Sequence, residues 1–261
     1  MAKVLAISSH VARGHVGLDA SMPGLQHLGH EVWALPTVLL ASRPGLGRLV
    51  KYEVPPADLS AMLAALEADG CWKSLDGVLT GYFPSPQSVL VAARAVARIK
   101  AANPQAVILV DPVMGDNGGL YVAQTTAEAV RDALMPLASI ATPNLFELSW
   151  LTGARIAHPV EVPPAARQLS TPTVIVTSAW QSPQAVGTML IARDLRLERE
   201  MPKRADIPNG AGDLFAGLLL GNLLLGEDYA AALDSSLATL DRVLGESSGH
   251  DVLQLSALRA P

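Results

Sequence analysis

The residues best suited to chemistry lie in the run Asn209-Gly210-Ala211-Gly212-Asp213-Leu214-Phe215-Ala216-Gly217. Two glycines and an alanine leave the backbone bare just ahead of the apolar stretch Leu214 to Leu225, which reads as a helix. The first N–H groups of a helix have no intrahelical partner, and the helix dipole adds partial positive charge there, so such a turn can hold a phosphate. A carboxylate at Asp213 would repel that phosphate unless it had a task of its own. A general base that activates a hydroxyl for phosphoryl transfer fits the position. An aspartate that merely caps the helix is the competing reading, and the turn alone does not separate the two.

Two more acidic motifs follow short apolar runs. Asp111-Pro112-Val113-Met114-Gly115-Asp116 comes directly after the apolar run Ala106 to Val110. Proline fixes the chain as it leaves the strand and aims Asp111 at whatever lies beyond the strand end, where magnesium-bound or ATP-bound phosphate is one occupant and a simple Asp-Pro turn is the alternative. In Thr142-Pro143-Asn144-Leu145-Phe146-Glu147, Asn144 and Glu147 are three residues apart and share a helical face. They read equally as a capping box and as a pair near hydrated magnesium and nucleotide phosphate. His10 and His15 flank Gly14 without a third ligand, so a metal site is not expected there. His27, His30, His158 and His250 lack visible partners and are expected at the surface.

An α/β arrangement must position these groups. Apolar runs at Val4–Ile7, Glu31–Leu35, Gly77–Thr80, Ala106–Val110, Ser139–Ala141 and Thr173–Val176 read as strands. Helical patterns fall at Leu18–Leu28, Ala57–Ala68, Ser85–Ala102, Thr125–Leu134, Asn144–Leu151, Gly212–Leu225 and Tyr229–Leu244, and a hairpin spans 185–200. Alternating strands and helices predict a mostly parallel sheet covered on both faces, with ligands at the carboxyl ends of the strands. Ser9 and His10, Gly81 and Tyr82, Asp111, Asn144 and Glu147, and Thr177 and Ser178 all fall there. The Pro- and Gly-rich region 36–56 reads as a long excursion that acts as a flap over the site.

Composition narrows the function classes. The 261 residues are 50% hydrophobic and 16% charged, which suits one large folded domain, 1–261. A net charge of −5 without a basic run argues against nucleic acid as partner. Cys71 stands alone, which excludes an intrachain disulfide. No leader or membrane span is visible, so a soluble, cytoplasmic protein is expected.

Taken in order, Ser9-His10-Val11, Gly14-His15-Val16-Gly17, Thr80-Gly81-Tyr82, Asp111-Pro112-Val113-Met114-Gly115, Thr142-Pro143-Asn144-Leu145-Phe146-Glu147-Leu148 and Gly210-Ala211-Gly212-Asp213 resemble the bacterial pyridoxal kinase branch of the ribokinase-like superfamily. The resemblance spans Ala2 to Gly245. It implies a three-layer α/β/α fold and transfer of the ATP γ-phosphoryl group to the 5′-hydroxymethyl of pyridoxal. It implies Asp213 as base and the N–H groups of Gly210, Ala211, Gly212 and Asp213 as the anion hole. Asp111, Asn144, Glu147, Thr177 and Ser178 would serve ATP, with Asp111 and Glu147 toward Mg2+ through water and phosphate. Ser9, Val11, Thr37 and Tyr82 would line the vitamer pocket. A homodimer is implied, and a K+ requirement and the choice among pyridoxal, pyridoxine and pyridoxamine stay open.

The flap departs from the pattern. Related kinases carry Asn-Thr-Val-Gln-Phe-Ser-Asn-His-Thr there, whereas this chain reads Pro36-Thr37-Val38-Leu39-Leu40-Ala41-Ser42-Arg43-Pro44, then Gly45. A hydroxyl and an amide are lost, at about 0.5–1.5 kcal/mol each. Arg43 and Arg48 are new cations, read as solvated charges or phosphate contacts. The altered flap keeps two alternatives in view: a hydroxymethylpyrimidine kinase, and a non-catalytic vitamer-binding homologue.

Overall fold

A computed structural model describes residues 1–46, 48–116 and 118–259; Gly47 of the expected flap and Asn117 lie outside the described residues. The elements, in chain order, are β1 (Lys3–Val11), α1 (Leu18–His27), β2 (Glu31–Leu40), β3 (Lys51–Glu53), α2 (Pro56–Ala68), β4 (Gly77–Thr80), α3 (Pro86–Ala102), β5 (Val107–Val110), β6 (Gly115–Asp116), β7 (Gly119–Leu120), α4 (Gln124–Ala129), β8 (Ile140–Ala141), α5 (Leu145–Thr152), α6 (Val162–Ala166), β9 (Thr173–Gln181), β10 (Ala185–Ile191), β11 (Arg196–Pro202), α7 (Ala211–Leu224) and α8 (Tyr229–Ser247).

One sheet runs in the order β11-β10-β9-β8-β5-β4-β1-β2-β3. From β9 through β2 every pairing is parallel, while β10, β11 and β3 add antiparallel edges. The strands alternate between two apolar layers. Leu5, Ile7, Val78, Ile108 and Val110 pack with α2 and α3, whereas Val4, Ala6, Leu79 and Leu109 pack with α1, α7 and α8. The expected three-layer α/β/α fold is thus present, and it brings the polar strand ends to one edge.

The boundaries differ where function presses on the chain. β1 continues through Ser8-Ser9-His10-Val11, which read as a loop because its residues are polar. The expected excursion 36–56 is bounded by strand: β2 runs on to Leu40 and pairs antiparallel with β3, with 41–50 as the connection between them. The β1/β2 register slips between Ser8 and Ser9, so Ser8 faces Pro36 and Ser9 faces Val38. The slip occurs at Pro36, which has no N–H for the ladder, and Thr37 becomes the extra residue of a bulge. β9 extends to Gln181, so Thr177 and Ser178 lie within a strand rather than after it.

His30 is not a surface residue. It is buried, accepts a hydrogen bond from the Ala2 N–H at Nδ1 (3.3 Å), and lies 2.9 Å from the Gly221 carbonyl through Nε2. It ties the start of β2 to α7.

Candidate active site

The α7 turn answers the capping question. Gly210, not Asp213, is the N-cap, and Asp213 is the third helical residue. Gly210 has φ 108°, and a Cβ there would stand 1.8 Å from the His15 carbonyl oxygen. No other residue fits that backbone. At Gly212 a Cβ would meet nothing within 4 Å, so the face above the first turn is open to a ligand.

Asp213 is partly buried, and its carboxylate receives the Gly17 N–H and its own N–H. Burial pushes its pKa up to about 6, the charge of Asp19 adds to the rise, and the two N–H groups oppose it. Asp19, in the first turn of α1, accepts the Val11 N–H (2.6 Å) and pairs with His10 Nδ1 (2.9 Å), both through Oδ2. The sequence reading passed over Asp19. Its one signal was an acidic residue in the first turn of a helix that opens on a glycine.

Asp111 sits buried at the end of β5. Its Oδ1 accepts the Thr142 hydroxyl at 2.9 Å. Burial, then the charges of Glu147 and Asp213, hold its carboxyl well above the usual carboxylate range, and the Thr142 bond only partly counters them. Glu147 is buried in the first turn of α5. It realises the capping box: Asn144 Oδ1 accepts the Glu147 N–H (2.9 Å), and Glu147 Oε2 accepts the Asn144 N–H (2.8 Å). Glu147 Oε1 also accepts the Met114 N–H (3.1 Å), and Asn144 Nδ2 donates to the Gly115 carbonyl (2.8 Å). The pair therefore locks the loop after Asp111 onto α5. Burial raises the Glu147 pKa to about 7 against the pull of these N–H bonds, with the Asp213 charge adding to the rise.

Asp111 and Asp213 line one small pocket with Ser8, Ser21, Leu79, Thr80, Gly81 and Ala216. On one flank, Thr177 bridges in parallel to Asn144, and Ser178 holds φ 48°, a conformation a non-glycine residue rarely adopts. On the other flank, the Tyr82 N–H donates to Ser8 Oγ (3.0 Å) and the Tyr82 carbonyl accepts from the Thr37 hydroxyl (2.7 Å). Burial raises the Tyr82 pKa. Thr37 is fully buried, so its hydroxyl supports Tyr82 from behind. Ser9 and Val11 are buried, and Ser9 Oγ lies where a Cβ on Gly17 would stand 2.2 Å away.

The Arg43 guanidinium is committed to backbone carbonyls. Nε and Nη2 donate to the Asp251 carbonyl (3.0 and 2.5 Å) and Nη1 to the Pro44 carbonyl (3.0 Å). Its N–H donates to the Arg13 carbonyl, so the connection 41–50 is pinned over the end of β1. Arg48 is exposed. No group of three or more His, Cys, Asp or Glu suited to a metal ion occurs among the described residues, and no described helix is long and apolar enough to cross a membrane.

Comparison with known proteins bears on the same residues. A family model described as phosphomethylpyrimidine kinase matches residues 47–251. The pyridoxal kinase PdxY of Corynebacterium diphtheriae is 37% identical over 88% of this chain and 84% of its own. The pyridoxine/pyridoxal/pyridoxamine kinase of Bordetella avium is 36% identical over 92% of this chain and 84% of its own. Among solved structures, the pyridoxal kinase of Leishmania donovani in complex with ADP and pyridoxamine superposes with a TM-score of 0.92 at 28% identity, covering 98% of this chain and 94% of that one. The pyridoxal kinase of Entamoeba histolytica gives 0.91 at 27% identity over 98% and 93%. With its motifs in order and most of its length matched, this chain belongs to the pyridoxal kinase family.

Proposed function

We propose that the protein is an ATP-dependent kinase that phosphorylates the 5′-hydroxymethyl of pyridoxal to give pyridoxal 5′-phosphate in the cytoplasm. The observation that carries the reading is Asp213 in the first turn of α7, beside unpartnered N–H groups and facing Asp111 across one pocket. Asp213 takes the proton of the attacking hydroxyl. With a pKa near 6 it is ionised at neutral pH yet basic enough to accept a proton in the transition state. The N–H groups of Gly210, Ala211 and Gly212 receive the charge of the moving phosphoryl group, a task fixed dipoles perform without reorganising, while the Asp213 N–H bonds its own carboxylate. Ser9, Val11 and Tyr82 line the vitamer side, with Thr37 holding Tyr82. Asn144, Thr177 and Ser178 face the nucleotide.

The acidic pair fits a hard cation. Asp111 keeps free lone pairs on a buried carboxylate, and the repulsion between Asp111, Glu147 and Asp213 leaves the site short of positive charge. Asp111 and Glu147 would hold Mg2+ through water and phosphate, and the ion would offset the charge of ATP. A homodimer belongs to the same reading: the open edge of β3 exposes Val50 and Tyr52 beside Leu49. Sedimentation tests it.

The decisive variant is Asp213→Asn, assayed with pyridoxal and Mg-ATP. Turnover should fall on the order of 10²–10⁴-fold. Activity within a few-fold of the parent would remove Asp213 from the role of base. The altered flap and the family model described as phosphomethylpyrimidine kinase favour one second reading, phosphorylation of a hydroxymethylpyrimidine. Both substrates assayed side by side separate the two, and a clear preference for the pyrimidine overturns the vitamer assignment.

A further inference from the structure

The pocket between the two aspartates contains a group that the proposed mechanism has not used. Ser8 is buried, and it follows Val4 and Ala6 on the face of β1 that packs toward α7. Asp111 likewise follows Leu109 on that face of β5. Both therefore point into the layer from which Asp213 projects, and all three line the same pocket.

Most hydrogen bonds of the pocket wall are committed, while the buried Thr80 hydroxyl has no protein partner among the described residues and is a further group a water there can meet. The Ser21 hydroxyl donates to the Gly17 carbonyl (2.9 Å). The Thr80 carbonyl accepts the Asp111 N–H (2.9 Å), and the Gly81 N–H donates to the Ile7 carbonyl (2.9 Å). Ser8 Oγ accepts the Tyr82 N–H, which leaves its own proton to be donated. Among the described residues no protein acceptor takes that proton directly, and the carboxylates of Asp111 and Asp213 are the charged acceptors on the same pocket. A Cβ at Gly81 would stand 2.5 Å from Ser8 Oγ and 4.0 Å from Asp213 Oδ1, so the two groups flank one small space that only glycine leaves open. The pocket measures about 10 Å³, close to the room of a single water, and its wall is polar enough to hold one.

We propose that Ser8 is a positioning residue for Asp213: its hydroxyl donates to one buried water that the carboxylates of Asp111 and Asp213 share, fixing Asp213 in the orientation from which it takes the substrate proton. The inference rests on Asp213 being the base. Ser8 joins the two halves of the site, because the same oxygen that anchors the Tyr82 backbone on the vitamer side also orders the base.

Initial-rate kinetics of Ser8→Ala with pyridoxal and Mg-ATP test it. Loss of a hydrogen bond in a network that ends on a charged group should lower kcat about tenfold or more, with KM for ATP within twofold of the parent, whatever loss of the Tyr82 anchor does to KM for pyridoxal. If Ser8 only anchors Tyr82, KM for pyridoxal rises and kcat stays within twofold, which overturns the proposal, as does the absence of any effect. Ser8→Thr keeps the hydroxyl and should stay within threefold of the parent; a loss as large as that of Ser8→Ala would show packing rather than hydrogen bonding and also overturns it. In the Asp213→Asn background, Ser8→Ala should add no further loss. An Asp213→Asn enzyme that keeps its activity defeats the base reading itself, whereas an inactive Asp213→Asn enzyme with a silent Ser8→Ala defeats only the role of Ser8.

Discussion

At the scale of single residues, three carboxylates in related settings carry different loads. Glu147 has each oxygen occupied by a backbone N–H, Asp111 has one hydroxyl partner, and Asp213 is held by N–H groups at a helix start. Only Asp213 combines a pKa near 6 with an open backbone turn. A base is active when ionised, so kcat/KM should climb about tenfold per pH unit below 6 and level off above it. Asp19 raises the Asp213 pKa through its charge. Asp19→Asn keeps an oxygen for the Val11 N–H and removes that charge, so its acidic limb should move to lower pH. A pH–rate profile measures both, and a limb unmoved by Asp19→Asn would refute the coupling.

At the scale of elements, α5 shows why the capping and functional readings of Asn144 and Glu147 are not rivals. The capping box fixes the helix start, and the leftover donor and acceptor reach across to Gly115 and Met114. The loop behind Asp111 is thereby held by the same two side chains that face the proposed nucleotide site. Asn144→Ala removes the cap and the Gly115 bond together. It should cost about 1–2 kcal/mol in stability and should raise KM for ATP more than KM for pyridoxal. Denaturant unfolding and initial rates check the two parts. The capping box was legible in the sequence because helix start signals are local. The central strands were legible too, since strands buried on both faces read as continuous apolar runs. The end of β1 was not, because its last residues are polar where they meet the site, and β3 was hidden among the prolines and glycines around it. The Ser8 pocket was beyond reach for a different reason: it is made by β1, β4, β5 and α7 meeting in space, and no spacing along the chain encodes that meeting.

At the scale of the whole molecule, the strand-end edge concentrates negative charge that the fold must tolerate when no ligand is bound. Asp111, Glu147 and Asp213 all have pKa values raised in the folded state. The folded chain therefore holds protons that the unfolded chain releases first. Below about pH 4 all three are protonated in both states and cost nothing. As pH rises through the unfolded values toward about 6 and 7, the unfolded state gains free energy of ionisation that the folded state does not, and stability falls. For Asp213 alone the shift corresponds to on the order of 3 kcal/mol. Asp116, Asp132 and Glu161, outside the site, have lowered pKa values and act with the opposite sign, so the raw pH dependence is a sum. The difference between parent and variant isolates one site. Asp213→Asn should melt several degrees above the parent at pH 8, with the gap closing toward pH 4, even though the variant is catalytically crippled. Mg-ATP should raise the melting temperature of the parent most at the pH where the carboxylates are fully ionised, because that is where its cation has the most repulsion to offset. Calorimetry across pH 4–8, with and without Mg-ATP, reads both effects. A variant that melts below its parent at pH 8 would mean that Asp213 sits in the fold as a satisfied structural carboxylate, and the destabilised base on which the proposed chemistry depends would have no physical support.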